Sequence, residues 1–303
     1  MGIPSYFSYI IKNHQKIIQD KHQINDTIHE LYFDSNSIIY DCIRKSLKIQ
    51  LQVEVELQLQ DNDIYKQICL QIQQYIVDIQ PTELVYISFD GIAPFAKLKQ
   101  QRDRRFKGQY TKSILNTVLN NKSNKDWNTC AITPGTAFMK KLDDYVNTYF
   151  KQHTPPVIFT GSRHCGEGEH KIMQHIRNTK DTGKNAAIYG LDADLIMLAL
   201  NHLSYRNKIY LYRETPEFIK SINNRLEANK TYLLDMKLLG QQTALELAGE
   251  DGDVNYIHKM YDYIFMCFLL GNDFMPHFPS VNIRSDGIYY LIEKYRLLFK
   301  NND

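Results

Sequence analysis

"ELVYISFDG", residues 83–91, is a run of apolar, β-branched and aromatic residues with no helical period, and it stops at Asp90-Gly91. Such a run bounded by a turn signal reads as a buried strand. The same form returns in "HELYFDSNSIIYDCI" (29–43) around Asp34 and in "AAIYGLDAD" (186–194). Shorter versions are "VIFTG" (157–161) and "KIYLYRE" (208–214). Between them lie helical periodicities over residues 64–79, 96–117, 136–149 and 169–178. Alternating strands and helices predict an α/β fold with a mostly parallel central sheet flanked by helices. Sheets of that kind bind ligands beyond the carboxyl ends of their strands. Asp34, Asp90 and the pair Asp192/Asp194 all fall at or just after such an end.

Two segments stand apart. "LKIQLQVEVELQLQ" (47–60) alternates apolar and polar residues without a break, which predicts an amphipathic strand or hairpin arm. The Asn/Lys-rich stretch 119–128 reads as a surface loop. No internal repeat is present, and residues 1–303 are expected to form a single domain with ample material for a core.

Composition removes several classes. A chain of 43% hydrophobic and 23% charged residues is that of a globular protein, and no apolar run reaches the length of a membrane-spanning helix. The formal net charge of +2 gives no general attraction to nucleic acid, so any such binding must come from a local patch. The cysteines are odd in number, scattered and never C-x-x-C, which argues against zinc and against a disulfide framework. That pattern suits a reducing compartment, and the cytoplasm is the expected location.

The acids form a set: Asp34, Asp90, Glu167, Glu169, Asp192, Asp194 and Asp273. Glu167/Glu169 and Asp192/Asp194 are each spaced two apart, which on extended chain aims both carboxylates one way. Asp273 follows the apolar run "YIFMCFLLG". Gathered in one pocket, the seven would carry about −7 at neutral pH, which persists only if cations bind or protons are taken up. Single acids at strand ends serve as helix caps, but capping does not explain the whole set. Carboxylates without His or Cys partners favour Mg²⁺, with Mn²⁺ as a substitute. Two such ions are the usual device for in-line attack on a phosphodiester.

Close after Asp90 comes "AKLKQQRDRRFKGQYTK" (96–112). Lys97, Gln101 and Arg104 share one helical face, with Arg105 beside Gln101. Guanidinium forks bind phosphate at two points, so this face suits a terminal phosphate held next to the metals. A nuclease built in this way would cut one bond from a held end.

Taken together, "MGIPSYF", "LYFDSNSIIYDCI", "FDGIAPFAKLKQQRDRRFKG", "CAITPGTAFM", "GEGEHKIMQHIR", "YGLDADLIMLAL" and "FLLGNDFMPH" resemble the Xrn-type 5′→3′ exoribonuclease family, in the family's order and over nearly the whole chain. The resemblance implies a PIN-like fold related to flap endonucleases, with two Mg²⁺ ions on the seven acids. It implies a 5′-monophosphate pocket of Lys97, Gln101, Arg104 and Arg105, and single-stranded RNA carrying a 5′-monophosphate as substrate and partner.

Tyr40 stands where the family has a His that stacks on the first base, and a Tyr ring also stacks. Cys165 replaces a Pro before the acid pair, and Phe95 replaces a basic residue. The family continues into a second conserved region that supplies an aromatic partner for the first base. The chain is expected to end before it, and Trp127 is not that partner. Two alternatives remain: a structure-specific flap-type DNA nuclease, disfavoured by the absence of a Gly-rich helix-hairpin-helix pattern after Asp273, and an idle RNA-binding scaffold, disfavoured by the presence of all seven acids.

Overall fold

The acid-terminated apolar runs are strands. The computed structural model describes residues 3–53, 60–118, 127–249 and 256–299. Its strands are β1 (Ile18–Gln19), β2 (Glu30–Asp34), β3 (Leu84–Ser88), β4 (Val157–Thr160), β5 (Asp181–Tyr189), β6 (Arg206–Glu214) and β7 (Thr231–Asp235). They belong to one seven-stranded sheet in the order β1-β7-β6-β5-β2-β3-β4. The helices are α1 (Tyr6–Asn13), α2 (Asn36–Val53), α3 (Asp61–Ile79), α4 (Phe95–Val118), α5 (Ala137–Tyr149), α6 (Gly168–Asn178), α7 (Asp194–Asn201), α8 (Ile219–Ile222), α9 (Met236–Ala248), α10 (Tyr256–Phe268) and α11 (Gly287–Phe299). By packing, the chain divides into two compact units, Phe33–Ile172 and the combination of Met1–Tyr32 with Met173–Asp303.

In the unit Phe33–Ile172, β3 and β4 pair in parallel, with Val85 opposite Val157 and Ser88 opposite Thr160. Four of the five residues of β3 are buried in succession, the signature of a strand covered on both faces. Ile64, Ile68, Ile72 and Ile76 place an apolar stripe along α3 at i, i+4 spacing, and all four are buried. Asp61 and Asp63 sit in its first turn, where the helix dipole favours acids. The hydroxyl of Thr136 accepts from Met139 N at 3.3 Å and caps α5.

One expectation is corrected here. Residues 47–53 are not a strand but the last two turns of α2, while 54–59 lie outside the described residues. Ile38, Ile39, Cys42 and Ile43 bury the first turns of α2 at helical spacing. Extending an existing helix is far easier than nucleating a new element, and Leu, Gln and Lys are good helix formers. Local period two therefore loses to the helix already running. The expected loop 119–128 falls mostly outside the described residues too, although the Trp127 ring meets Phe138 edge-on at 4.9 Å.

In the other unit, β5 and β6 are parallel, and β7 pairs antiparallel with both β6 and β1. Arg206 is fully buried there and donates to Glu30 at 2.7 Å. Among the described residues no helix is long and apolar enough to cross a membrane.

Candidate functional site

β2 and β3 end where their acids begin. Ser35 N donates to Ser88 O at 3.0 Å, which brings the two strand ends level. Asn36, the first residue of α2, then grips Asp90 from both sides. Its Nδ2 donates to Asp90 Oδ2 at 2.7 Å, and its Oδ1 accepts from Asp90 N at 3.0 Å. Asp90 Oδ1 accepts from Gly168 N at 2.7 Å, at the start of α6. Asp34 meets the same residue, because a Cβ on Gly168 would lie 2.5 Å from Asp34 Oδ1 and 3.5 Å from Asp90 Oδ1. Gly168 separates Glu167 from Glu169. Four of the predicted acids, Asp34, Asp90, Glu167 and Glu169, thus converge on one helix start.

The loops carrying them are tied main chain to main chain. Gly91 N donates to Gly166 O at 2.9 Å, and Gly166 N donates to Ile92 O at 3.0 Å. Gly91 has no alternative, since a Cβ there would fall 1.7 Å from His164 O. Gly166 turns the chain at φ +94°, a left-handed conformation suited to glycine.

Charge in this unit is unbalanced. Glu167 and Glu169 are both buried, and Glu167, Glu169 and His170 each bring a ligand atom within 4.8 Å of the others. Burial raises the pKa of Asp90 above the ordinary carboxylate value, a nearby Glu167 adds to it, and the Gly168 hydrogen bond, Lys97 and Lys171 oppose it. Glu167 Oε1 pairs with Lys97 Nζ at 2.7 Å. Its other oxygen, Oε2, is buried and accepts no hydrogen bond among the described residues, with the His170 ring 3.5 Å away. A buried carboxyl oxygen left in this way fits a cation. The donors are oxygens at short spacing, which suits a hard divalent ion such as Mg²⁺ or Mn²⁺.

The basic helix is α4, which starts directly after Pro94 and is exposed along most of its described length. Lys97 is its buried exception and points into the acids. Gln101 is half-buried, and Arg104 and Arg105 are exposed. Burial raises the pKa of Tyr40 while Arg105 and Arg104 pull it down and Asp90 raises it, so the predicted stacking ring shares the neighbourhood of both arginines and of Asp90. Phe95, at the position where a basic residue was expected, is 90% exposed.

Three predicted acids belong to the other unit. Asp192 lies on the loop after β5, and Asp194 opens α7 as a first-turn acid. Arg213, buried at the end of β6, donates to Leu191 O at 2.6 Å and lies over the Phe7 ring at 3.7 Å. Burial lowers the Arg213 pKa to about 10, and Asp192 opposes the fall. Asp273 lies in the turn after α10, beside Asn272, whose Oδ1 accepts from Phe274 N and Met275 N.

Sequence reasoning passed over Asn36, Gly168, Lys171 and Arg213. Only Lys171 carried a signal, as the basic residue of "GEGEHK" one helical turn after Glu167.

A family model described as the XRN 5′-3′ exonuclease N-terminus matches residues 1–215. The chain belongs to the XRN 5′→3′ exonuclease family. A second model of that family, the Xrn1 helical domain, matches residues 254–303. The chain is 32% identical to 5′-3′ exoribonuclease 1 of Saccharomyces cerevisiae, covering 100% of this chain and 21% of the relative. It is 30% identical to 5′-3′ exoribonuclease 1 of Homo sapiens, covering 97% of this chain and 18% of that protein. It therefore spans about a fifth of the length of these XRN relatives. Among solved structures, the catalytic core of Rad2 in complex with a DNA substrate matches at a TM-score of 0.50 and 15% identity, over 99% of this chain and 73% of that one. The likeness bears on the fold, which is that of the 5′ nucleases.

Proposed function

We propose that this chain is a 5′→3′ exoribonuclease that hydrolyses single-stranded RNA from a 5′-monophosphate, using two Mg²⁺ ions for which Mn²⁺ can substitute. The observation that carries the reading is the convergence of Asp34, Asp90, Glu167 and Glu169 on Gly168, with the buried Lys97 joining them to the basic helix α4. The names of the XRN relatives support the RNA end-degrading activity.

In this reading the seven acids, Asp192, Asp194 and Asp273 included, hold the ions within one nuclease domain over residues 1–303. Bound there, the ions would supply a hydroxide nucleophile and stabilise the leaving oxygen. The rest falls to the protein. Lys97, Gln101, Arg104 and Arg105 bind the terminal phosphate, and Tyr40 stacks on the first base. Holding the end fixes which phosphodiester meets the acids, and therefore the direction of degradation. We place the enzyme in the cytoplasm, to which its scattered cysteines, with no C-x-x-C pair, are suited.

The test uses 3′-labelled single-stranded RNA with a 5′-monophosphate, beside 5′-hydroxyl RNA, a DNA flap and an EDTA control. Stepwise shortening of the monophosphate RNA alone, abolished by EDTA, is expected. Asp192→Ala should abolish cleavage and leave RNA bound, and Arg104→Ala should reduce the preference for 5′-phosphate over 5′-hydroxyl ends. Cleavage surviving Asp192→Ala refutes the metal assignment, and cleavage of the flap alone refutes the RNA assignment.

A further inference from the structure

Lys171 is buried on α6, one turn after Glu167 and two residues after Glu169. A buried ammonium must find hydrogen-bond acceptors, and among the described residues this one donates to none of the acids around it. It donates instead to two main-chain carbonyls, Phe89 O at 2.8 Å and Gly161 O at 3.0 Å. Both carbonyls lie just past the carboxyl ends of parallel strands, β3 and β4, where the sheet ladder stops. The carbonyl of Phe89 belongs to the peptide unit whose nitrogen is that of Asp90. That nitrogen donates to Asn36 Oδ1 at 3.0 Å. The peptide plane leading into Asp90 is therefore held at its oxygen by Lys171 and at its nitrogen by Asn36, which removes the rotation that would swing the carboxylate away.

Gly161 is fixed in its own right: a Cβ there would lie 2.5 Å from the Asp143 carboxylate, and that carboxylate accepts from Ser162 N and Ser162 Oγ, each at 2.9 Å. Lys171 thus has one anchored partner and one partner attached to a candidate ligand. It also differs from Lys97. Lys97 is paired with Glu167, a candidate ligand that an arriving cation would claim. Lys171 is held by neutral carbonyls, so a cation arriving at the acids takes neither partner from it.

We propose that Lys171 is a positioning residue of the metal centre, which ties the turn of α6 bearing Glu167 and Glu169 to the strand end bearing Asp90 and so holds these carboxylates at binding separation before an ion arrives. The inference rests on the reading of these acids as metal ligands. Groups that orient metal ligands without touching the metal typically change affinity by about 10–100-fold when removed.

Mn²⁺ binding by the full chain, followed through the loss of the free-ion electron paramagnetic signal, tests the proposal without any turnover. Lys171→Met is compared with wild type and with Ile72→Ala, a core variant on α3 chosen to lower the melting temperature while touching none of these groups. Lys171→Met is expected to weaken Mn²⁺ binding at least about tenfold, and Ile72→Ala to leave it unchanged. Lys171→Gln, which keeps a neutral donor, is expected to fall between wild type and Lys171→Met, and it carries the test should the methionine variant fail to fold. Wild-type affinity in a folded Lys171→Met or Lys171→Gln protein, with only the melting temperature lowered, would reduce Lys171 to a cap on two carbonyls and overturn the proposal. Absence of Mn²⁺ binding by the wild type would overturn the metal reading itself, a separate result.

Discussion

Gly168→Ala separates the stability of the fold from the competence of the candidate metal centre. Gly168 is the first residue of α6, and an added Cβ would lie 2.5 Å from Asp34 Oδ1. Real Cβ atoms essentially never approach closer than 3.0 Å, so the carboxylate oxygen must retreat by at least 0.5 Å (3.0 less 2.5). Metal–ligand distances tolerate only about ±0.2 Å. The clash is with the far end of a side chain, so the backbone need not move and the folding cost is small. Alanine is up to about 1 kcal/mol better than glycine inside a helix, and less at its first residue. Stability in EDTA should therefore change by less than about 1 kcal/mol. Mn²⁺ affinity should fall about 10–100-fold, which corresponds to about 1.4–2.8 kcal/mol of binding free energy. Calorimetric melting in EDTA and Mn²⁺ titration of the same sample read the two quantities. A Gly168→Ala protein that melts normally and binds Mn²⁺ as tightly as wild type would refute the placement of Asp34 among the ligands.

Gly91→Ala gives the contrasting result, because its Cβ would strike the main-chain oxygen of His164 at 1.7 Å, and urea denaturation should show a loss of about 3 kcal/mol or more. Lys97→Met strands the buried Glu167 carboxylate; in EDTA it should lower unfolding free energy by about 3–5 kcal/mol, part of which Mg²⁺ should restore. Asp90 adds a pH signature. Its folded pKa is raised, so the protonated form is favoured by folding, and the stability it contributes is present below the unfolded value near 4 and is lost as pH rises through the folded value. In EDTA the wild type should thus lose stability relative to Asp90→Asn as pH climbs from about 4 toward neutrality, read as the pH dependence of the difference in denaturation midpoints.

The ends of β2, β3 and β5 were legible because a strand buried on both faces has to be written as continuous apolar residues, and an acid that interrupts it stands out. Helix α4 was legible from its charges and Lys97 from its spacing, but the burial of Lys97 was not, since that depends on a partner 70 positions along the chain, Glu167. The error at 47–53 came from a pattern too local to register the helix already running from Asn36. β7 went unread because "TYLLD" is short, and its antiparallel partners, β1 and β6, lie elsewhere in the chain. Asn36 and Gly168 were missed for a different reason. Asn36 acts through its side-chain amide on a partner 54 positions away, Asp90, while Gly168 acts through its main-chain N–H and the absence of a side chain, and neither leaves a local mark in the sequence.

The main-chain ties between Gly91, Ile92 and Gly166 have a practical side. Because the loops are joined through backbone atoms, the side chains of Ile92 and Cys165 carry none of the load and are free to be replaced. That freedom makes Cys165 a handle: it is exposed, one residue from Gly166 and two from Glu167, while Cys42, Cys69 and Cys267 are buried. With Cys130 changed to serine, a fluorophore on this single accessible thiol would sit at the rim of the acids and report occupancy by a change in emission, with no nucleic acid in the cuvette.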